Sequence, residues 1–228
     1  MSNRGADFHH CKEPILRKIR PLLIDLTNQP SKYDRITQKI EHWIEYVLRE
    51  RFMTVDELAE GLAYVAWEDG GSYASVGRFL KEFRDAPHRS ERARSFVTQL
   101  CSHVLRWFTV ASADSMVWHD WVIIKNGGKG FARAGSFVGH LIACGLLSHE
   151  LVRQHLIKPL ADHYYGDSEA FQRYPVRANA IYQLFIAAGN ALFQGLFEAE
   201  DVWVCFETLD VQNKAGKVIG YDAARVKV

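Results

Sequence analysis

Several short segments of the sequence contain residue types that belong to known chemical sites. His149-Glu150 begins like the zinc-protease motif H-E-x-x-H, in which two histidines on one helical face bind zinc and the glutamate acts as a base. The second histidine would be residue 153, which is Arg153. The motif fails at that position, and we predict no zinc-protease site.

Two further segments place histidine beside another reactive side chain. His9, His10 and Cys11 carry metal-ligand atoms, but they lie in a polar N-terminal segment and we interpret them as incidental. In the segment Trp118-His119-Asp120-Trp121, an ionisable pair stands between two large aromatic residues. Tryptophan usually contributes core or interface area. A small enzyme with its site near His119 and Asp120 is therefore kept as the alternative hypothesis.

The segment Asn126-Gly127-Gly128-Lys129-Gly130 has the small residues and the lysine of a phosphate-binding loop. It lacks the spacing of GxxxxGK[ST], and no convincing strand precedes it. We interpret it as a loop between helices. Since no set of nucleophile, acid, base or metal ligand converges, we predict no catalytic residue, no metal site and no cofactor.

Composition narrows the class of protein. The chain has 228 residues, of which 48% are hydrophobic and 24% charged, as in an ordinary globular protein. Lys and Arg number 28 against 27 Asp and Glu, so any binding to nucleic acid must come from a local patch. The four cysteines form no C-x-x-C pair, which argues against a zinc module and against a secreted disulfide scaffold.

Localisation is predicted from what the sequence lacks. The first ten residues contain no apolar stretch of the signal-peptide kind. The most apolar run, Phe137 to Leu147, is too short to span a bilayer and contains His140. We expect a cytoplasmic protein without a membrane partner, with the nucleus as the alternative.

One basic stretch stands out in the otherwise neutral chain. From Trp121 to His149 there is no acidic residue, while Lys125, Lys129 and Arg133 lie in or beside the glycine-rich loop. We predict that these three side chains contact the phosphates of RNA. Two other basic sets are interpreted as solvated mixed surface: Arg17, Lys18 and Arg20, and Arg89, Arg92 and Arg94.

Apolar residues recur at intervals of three and four along most of the chain, which is the spacing of one helical face. Consecutive short helices with short connections pair as antiparallel hairpins, and a row of hairpins stacks into an α-solenoid. A compact all-α bundle is the alternative. The apolar stripes contain Ile15 to Leu26, Tyr33 to Val47 (with Trp43), Val55 to Val65, Tyr73 to Phe83, Phe96 to Phe108, Phe131 to Ile142, Leu151 to Leu160 and Ile181 to Leu192.

Helix boundaries also have signals. Pro14 suits a first helical turn, Thr54 with Glu57 forms a capping box, and Ser148 is placed to cap the helix that follows it. The segment Val202 to Phe206 fits either a strand or a helix. We predict a flexible stub over 1–11, one helical-repeat domain over 12–210, and a tail or small hairpin over 211–228.

Two segments resemble a known family. Ile15 to Ile36 reads ILRKIRPLLIDLTNQPSKYDRI, and it resembles the first helix hairpin of the middle domain of eukaryotic translation initiation factor 4G, roughly R-K-V-R followed by L-N-K-L-T-P-x-x-F-D-K-I. Phe137 to Leu160 reads FVGHLIACGLLSHELVRQHLIKPL and is similar to F-I-G-E-L-F, a short break and L-L-T. This chain departs from the pattern in its longer first turn, in Pro21 and in His140.

The resemblance implies a fold and a function. The fold is all-α, a right-handed α-α superhelix (HEAT-like solenoid) of about five antiparallel helix hairpins. Members are non-enzymatic scaffolds of RNA metabolism, several of which bind a DEAD-box RNA helicase, and some touch RNA. Their helicase-binding leucines and aromatic residue match Leu23, Leu26 and Tyr33 here. The alternative is that these three are simply core residues.

We therefore expect a non-catalytic adaptor of translation initiation that binds a DEAD-box helicase of the initiation factor 4A type, with single-stranded RNA as a second partner. A scaffold of mRNA decay, splicing or nuclear cap binding is the alternative within the same class. The Tyr-x4-Leu-apolar motif that recruits the cap-binding protein is absent from the sequence, so we expect no binding of that protein by this route.

The helical spacing predicts a far-UV circular dichroism spectrum dominated by helix, with strand confined to the C-terminal segment. An ordinary globular protein has roughly 20–25% strand. A measured strand content in that range would contradict both the solenoid and the family resemblance.

Overall fold

The computed structural model of the chain describes residues 14–69, 73–113, 129–148 and 175–189, together with residue 191. Within these residues the backbone forms α-helices and one 3₁₀ turn, and no strand. The prediction of an all-α fold is confirmed for this part of the chain. The helices are α1 (Pro14–Asn28), α2 (Tyr33–Glu50), α3 (Val55–Asp69), α4 (Tyr73–Asp85), α5 (Glu91–Ala113), α6 (Lys129–Ala143) and α7 (Pro175–Ala188), and the 3₁₀ turn is Pro30–Lys32.

The chain divides into two compact units, Met1–His103 and Val104–Val228. The division falls inside α5 and not in a linker. The single domain over 12–210 stays a prediction. The stub, the tail and the Val202–Phe206 segment lie outside the described residues.

The first hairpin forms where the sequence predicts it. α1 begins at Pro14, and its interior Pro21 is exposed. Gln29 stabilises the longer turn through two hydrogen bonds to Asp25. Its backbone N–H donates to the Asp25 carbonyl at 2.9 Å, and its side-chain amide donates to the Asp25 carboxylate at 3.0 Å. The Lys32 N–H then donates to the Gln29 carbonyl at 2.9 Å. The turn between α1 and α2 is thus closed by local hydrogen bonds.

The capping box predicted at Thr54 starts α3. The Thr54 N–H donates to the Glu57 carboxylate at 2.8 Å, and the Glu57 N–H donates to the Thr54 hydroxyl oxygen at 3.1 Å. These two bonds satisfy backbone donors that the first helical turn leaves without partners. The backbone hydrogen bond, followed by the one from the Thr54 side chain, lowers the pKa of Glu57.

The core of the first unit is formed by apolar side chains of its helices, and α3 is buried on all sides from Leu62 to Trp67. α1 packs against α2, α3 and α4. Three phenylalanine rings contact one another at the centre of this unit. The centre of the Phe83 ring lies 5.8 Å from that of Phe79 and 6.2 Å from that of Phe96. A cavity of about 10 Å³ remains among apolar side chains. That volume is at the lower limit for one water molecule, so this core holds no ligand.

The end of α6 explains the break in the FVGHLIACGLL segment. Gly145 has φ of +65°, the left-handed conformation that glycine adopts most readily. The Gly145 N–H donates to the Ile142 carbonyl and the Leu146 N–H to the Leu141 carbonyl, both at 2.9 Å. This pair of bonds is the Schellman motif, which satisfies the last carbonyls of a helix.

In the second unit α6 and α7 pack closely because α6 presents two glycines to α7. A Cβ atom added at Gly135 would lie 1.9 Å from the carbonyl oxygen of Ala180. One added at Gly139 would lie 2.5 Å from the carbonyl oxygen of Leu184. Both distances end on backbone atoms, which cannot move aside as a side chain does. The contact between the helices therefore requires glycine at these two positions.

We expect Gly135→Ala to destabilise the protein, because overpacking a close contact costs about 1–3 kcal/mol. Alanine is the better helix former and regains up to about 1 kcal/mol of this cost. Each kcal/mol should lower the melting temperature by roughly 2–4 °C. Ser136→Ala on the same helix is the control. A melting temperature unchanged or raised in Gly135→Ala would contradict the close packing of α6 on α7.

Candidate functional site

The two leucines predicted to bind a partner lie in the core. Leu26 is 0% exposed and Leu23 is buried. Leu23 also lines the small apolar cavity between the helices. A partner can reach neither side chain in this arrangement, so the exposed apolar anchor that the hypothesis requires is not at these positions. Their burial favours the alternative that they are core residues.

Tyr33 is also buried, and it joins α2 to α4. Its hydroxyl donates to the Glu82 carboxylate at 2.9 Å, and the Arg78 guanidinium lies 4.3 Å from the centre of its ring. Arg78 in turn pairs with Glu82 at 2.7 Å. Burial, followed by the hydrogen bond to Glu82, raises the pKa of Tyr33 above its usual range. Tyr33 therefore stays neutral and acts as a link between two helices.

An exposed apolar residue does lie beside the buried leucines. Ile24, on the outer side of α1, is 37% exposed. In the part of the chain that the structure describes, it is one of two large hydrophobic residues that are exposed. Arg17, Pro21 and Asn28 are exposed on the same side, at helical intervals of three and four. We call Arg17, Pro21, Ile24 and Asn28 the α1 outer surface.

Arg89 was interpreted from the sequence as a solvated surface residue, and the structure corrects this. Its side chain is only 4% exposed. It pairs with the Glu41 carboxylate at 2.5 Å and also with Glu45, both on α2, and its guanidinium lies 4.4 Å from the centre of the Phe83 ring. Charge counting cannot reveal such a pair, because the partners are more than forty residues away in sequence.

The predicted RNA-contacting residues are described in part. Arg133 is exposed on α6, and Lys129 is the first residue of that helix, one turn earlier. Lys125 lies outside the described residues, as do the Trp118–Trp121 segment, Asn126–Gly128 and His149. The structure places two of the three basic residues on one helix end.

A second basic surface, which the sequence analysis missed, lies on the solvent side of α2. We define the α2 outer surface as Lys18 of α1 together with Arg35, Gln38, Lys39, His42, Trp43 and Tyr46. Lys18 Nζ lies 4.3 Å from the centre of the Trp43 ring. The His42 and Tyr46 rings meet the Trp43 ring edge to face, with centres at 5.7 and 6.0 Å.

A groove of about 250 Å³ crosses the α2 outer surface. It is lined by Arg35, Gln38, Lys39, His42 and Trp43, and no carboxylate is among these residues. Glu41 and Glu45, which lie next to the lining residues along the helix, both pair with Arg89, whereas Asp34, next to Arg35, is exposed. The groove is therefore basic on an otherwise neutral chain.

The spacing of three and four predicts Trp43 in the apolar stripe of α2, three residues after Ile40 and four before Val47. The structure places Trp43 at the edge of that stripe, half-buried, whereas Ile44 is fully buried. The signal that indicates this position is the repeat of Arg35, Lys39 and Trp43 at intervals of four, which puts all three on one side of the helix.

Neither a metal centre nor a membrane span is found in the part of the chain that the structure describes. There, no three His, Cys, Asp or Glu side chains lie close enough together to hold a metal ion. The described helices likewise include none that is long and apolar enough to cross a bilayer.

No protein-family model, no curated protein and no solved structure matches the chain. The family resemblance accordingly stands on the residues of Ile15–Ile36 and Phe137–Leu160 alone.

We expect Arg89→Ala to destabilise the protein by roughly 2–3 kcal/mol. Removing one member of a fully buried ion pair costs about 3–5 kcal/mol, and the cost is lower here because the Glu45 side chain is 52% exposed. Urea unfolding measures the change. Arg94→Ala, at an exposed arginine of the same basic set, is the control and should leave the midpoint unchanged. Equal midpoints for the two variants would show that the Arg89 pair contributes little.

Proposed function

We propose that the protein is a non-catalytic adaptor in RNA metabolism that binds a DEAD-box RNA helicase, with translation initiation as the process served. The observation that carries the proposal is the first hairpin. The segment Ile15–Ile36, which carries the resemblance to the initiation factor 4G middle domain, forms one helix, a turn closed by Gln29, and the start of a second helix. Its leucines and Tyr33 hold that hairpin against the rest of the first unit.

We also propose that the helices stack as a right-handed, HEAT-like superhelix of about five hairpins. One feature supports this. α1 pairs with α2 through a short turn. Helix hairpins of this kind are the repeating unit of α-solenoids.

The helicase-binding side chains need to be reassigned within the hairpin. Leu23, Leu26 and Tyr33 keep α1 and α2 in place, because all three are buried. The proposed contact is made instead by the α1 outer surface, with Ile24 as the apolar anchor and Arg17 about two helical turns away on the same side. Interface hot spots are commonly an apolar or aromatic anchor surrounded by polar contacts.

Single-stranded RNA is the second proposed partner, at Lys129 and Arg133 together with Lys125. The exposure of Arg133 at the start of α6, in a stretch without acidic residues, supports this contact. The cytoplasm is the proposed location, since translation takes place there. A nuclear location would accompany the splicing or nuclear cap-binding alternative.

The test measures helicase affinity and melting temperature on the same samples. Ile24→Asp should weaken binding about thirtyfold, equivalent to roughly 2 kcal/mol. Its melting temperature should fall far less than that of Leu26→Ala, because Ile24 is 37% exposed and Leu26 is fully buried. Leu26→Ala should instead lower the stability by about 2–5 kcal/mol. Phe52→Asp is the matched control: Phe52 is a large hydrophobic residue that is 59% exposed after the end of α2.

Binding should also raise the ATPase turnover of the helicase, since an adaptor that holds both of its lobes favours the reactive arrangement. If the wild-type protein binds no DEAD-box helicase, the proposed function is wrong. Capture of a decay or splicing helicase in place of the initiation one would select the alternative scaffold role. Equal loss of binding in Ile24→Asp and Phe52→Asp would contradict the assignment of the α1 outer surface.

A further inference from the structure

The α2 outer surface combines cations with an aromatic ring in one groove. Arg35 and Lys39 line the groove one helical turn apart, and Trp43 lines it a further turn along. Lys18 of α1 adds an ammonium group 4.3 Å from the centre of the Trp43 ring. A negatively charged partner would therefore meet positive charge along two turns of the helix, with a flat apolar ring at the end.

Positive charge beside an aromatic ring is what proteins use to hold single-stranded nucleic acid. Cations follow the phosphates, and bases stack on aromatic side chains, with little preference for sequence because every base has a π-face. The groove volume of about 250 Å³ lies just below the roughly 300–1,000 Å³ of pockets for drug-sized ligands. It suits one base with its phosphate better than a larger ligand.

We infer that the α2 outer surface binds single-stranded nucleic acid. A base stacks on the Trp43 ring in place of the Lys18 ammonium that covers this ring in the free chain, and the phosphates contact Arg35, Lys39 and the displaced Lys18. A base in a duplex is already stacked on its neighbours and is not free to enter the groove. The site is on a different helix from Lys129 and Arg133, and it does not depend on the helicase.

The Trp43 ring favours a nucleic acid over an acidic protein segment. Glu41 and Glu45, two acidic residues of α2 close to the groove lining in sequence, pair with Arg89, which leaves the lining positive for either kind of anion. An acidic peptide would satisfy Arg35 and Lys39 equally well, but it would leave the Trp43 ring unused. The contribution of Trp43 therefore distinguishes the two kinds of partner.

The first experiment titrates a fluorescein-labelled uridine 12-mer and an adenosine 12-mer against the full chain. Stacking of one base contributes enough that Trp43→Ala should weaken binding between about fivefold and 150-fold. Trp43→Phe keeps a ring and should restore much of the affinity. Since Lys18 and two rings pack on Trp43, melting temperatures of both variants are measured to confirm that they fold.

Tryptophan fluorescence gives a direct reading of the stacked base. Unlabelled 12-mer should quench part of the emission of the wild-type protein, and that part should be missing in Trp43→Phe. A Lys129→Ala/Arg133→Ala variant should keep the quenching. Quenching that persists in this variant shows that the groove binds RNA independently of the contact proposed on α6, so each of the two proposals can be rejected without the other.

The second experiment measures the salt dependence of binding. Each phosphate contact on a single strand contributes about 0.7 to the slope of log affinity against log salt. Arg35→Ala/Lys39→Ala should flatten the slope by roughly 1.4. Both side chains are exposed, so folding is preserved. The control Lys81→Ala/Arg94→Ala removes the same charge at two exposed residues of α4 and α5 and should leave the slope unchanged.

Three results would each overturn the inference. One is equal affinity of wild type and Trp43→Ala for both 12-mers. Another is a duplex bound as tightly as the single strands. The third is an unchanged salt slope in Arg35→Ala/Lys39→Ala. Displacement of the 12-mer by poly-glutamate, without any effect of Trp43→Ala, would assign the groove to an acidic protein segment instead.

Discussion

The burial of one face of α1 is the constraint on which the first unit depends. α1 is the helix that packs against α2, α3 and α4 together. Ile19 and Leu26 on this face are fully buried, so turning α1 about its axis would expose apolar area worth about 25 cal/mol for each Å². The orientation of α1 about its axis also determines where its other side chains lie. Ile24 faces solvent, and Lys18 reaches the Trp43 ring on α2.

A second constraint is electrostatic. The Arg89 guanidinium is buried between α2 and the Phe83 ring, and it is tolerated because it pairs with two carboxylates. The pairing occupies Glu41 and Glu45, and it thereby separates the charges of α2 into an acidic edge and a basic groove. A helix with nearly balanced charges acquires a basic surface by this arrangement, although the whole chain carries a net charge of only +1.

Local features could be predicted from the sequence, and distant pairings could not. Apolar periodicity, Pro14 and the Thr54–Glu57 box placed the helices of the first unit, because these signals act over a few residues. Leu26 was ambiguous, since an apolar stripe serves a core and an interface equally well. The burial of Arg89 and the exposed edge of Trp43 were missed because their surroundings come from other helices: α2 and α4 for Arg89, and α1 for Trp43.

The two proposed surfaces have a helix in common, which bears on how an adaptor of this kind would work. Ile24 and Lys18 are six residues apart on α1, an axial distance of about 9 Å. A protein held at Ile24 and a strand held at Trp43 would thus be separated along the helix by slightly more than the Debye length of about 8 Å at physiological salt, so the interaction between their charges would be weakened but not abolished. Charges on the bound protein would then raise or lower the affinity for the strand, and thermodynamic linkage requires the strand to change the affinity for that protein by the same factor.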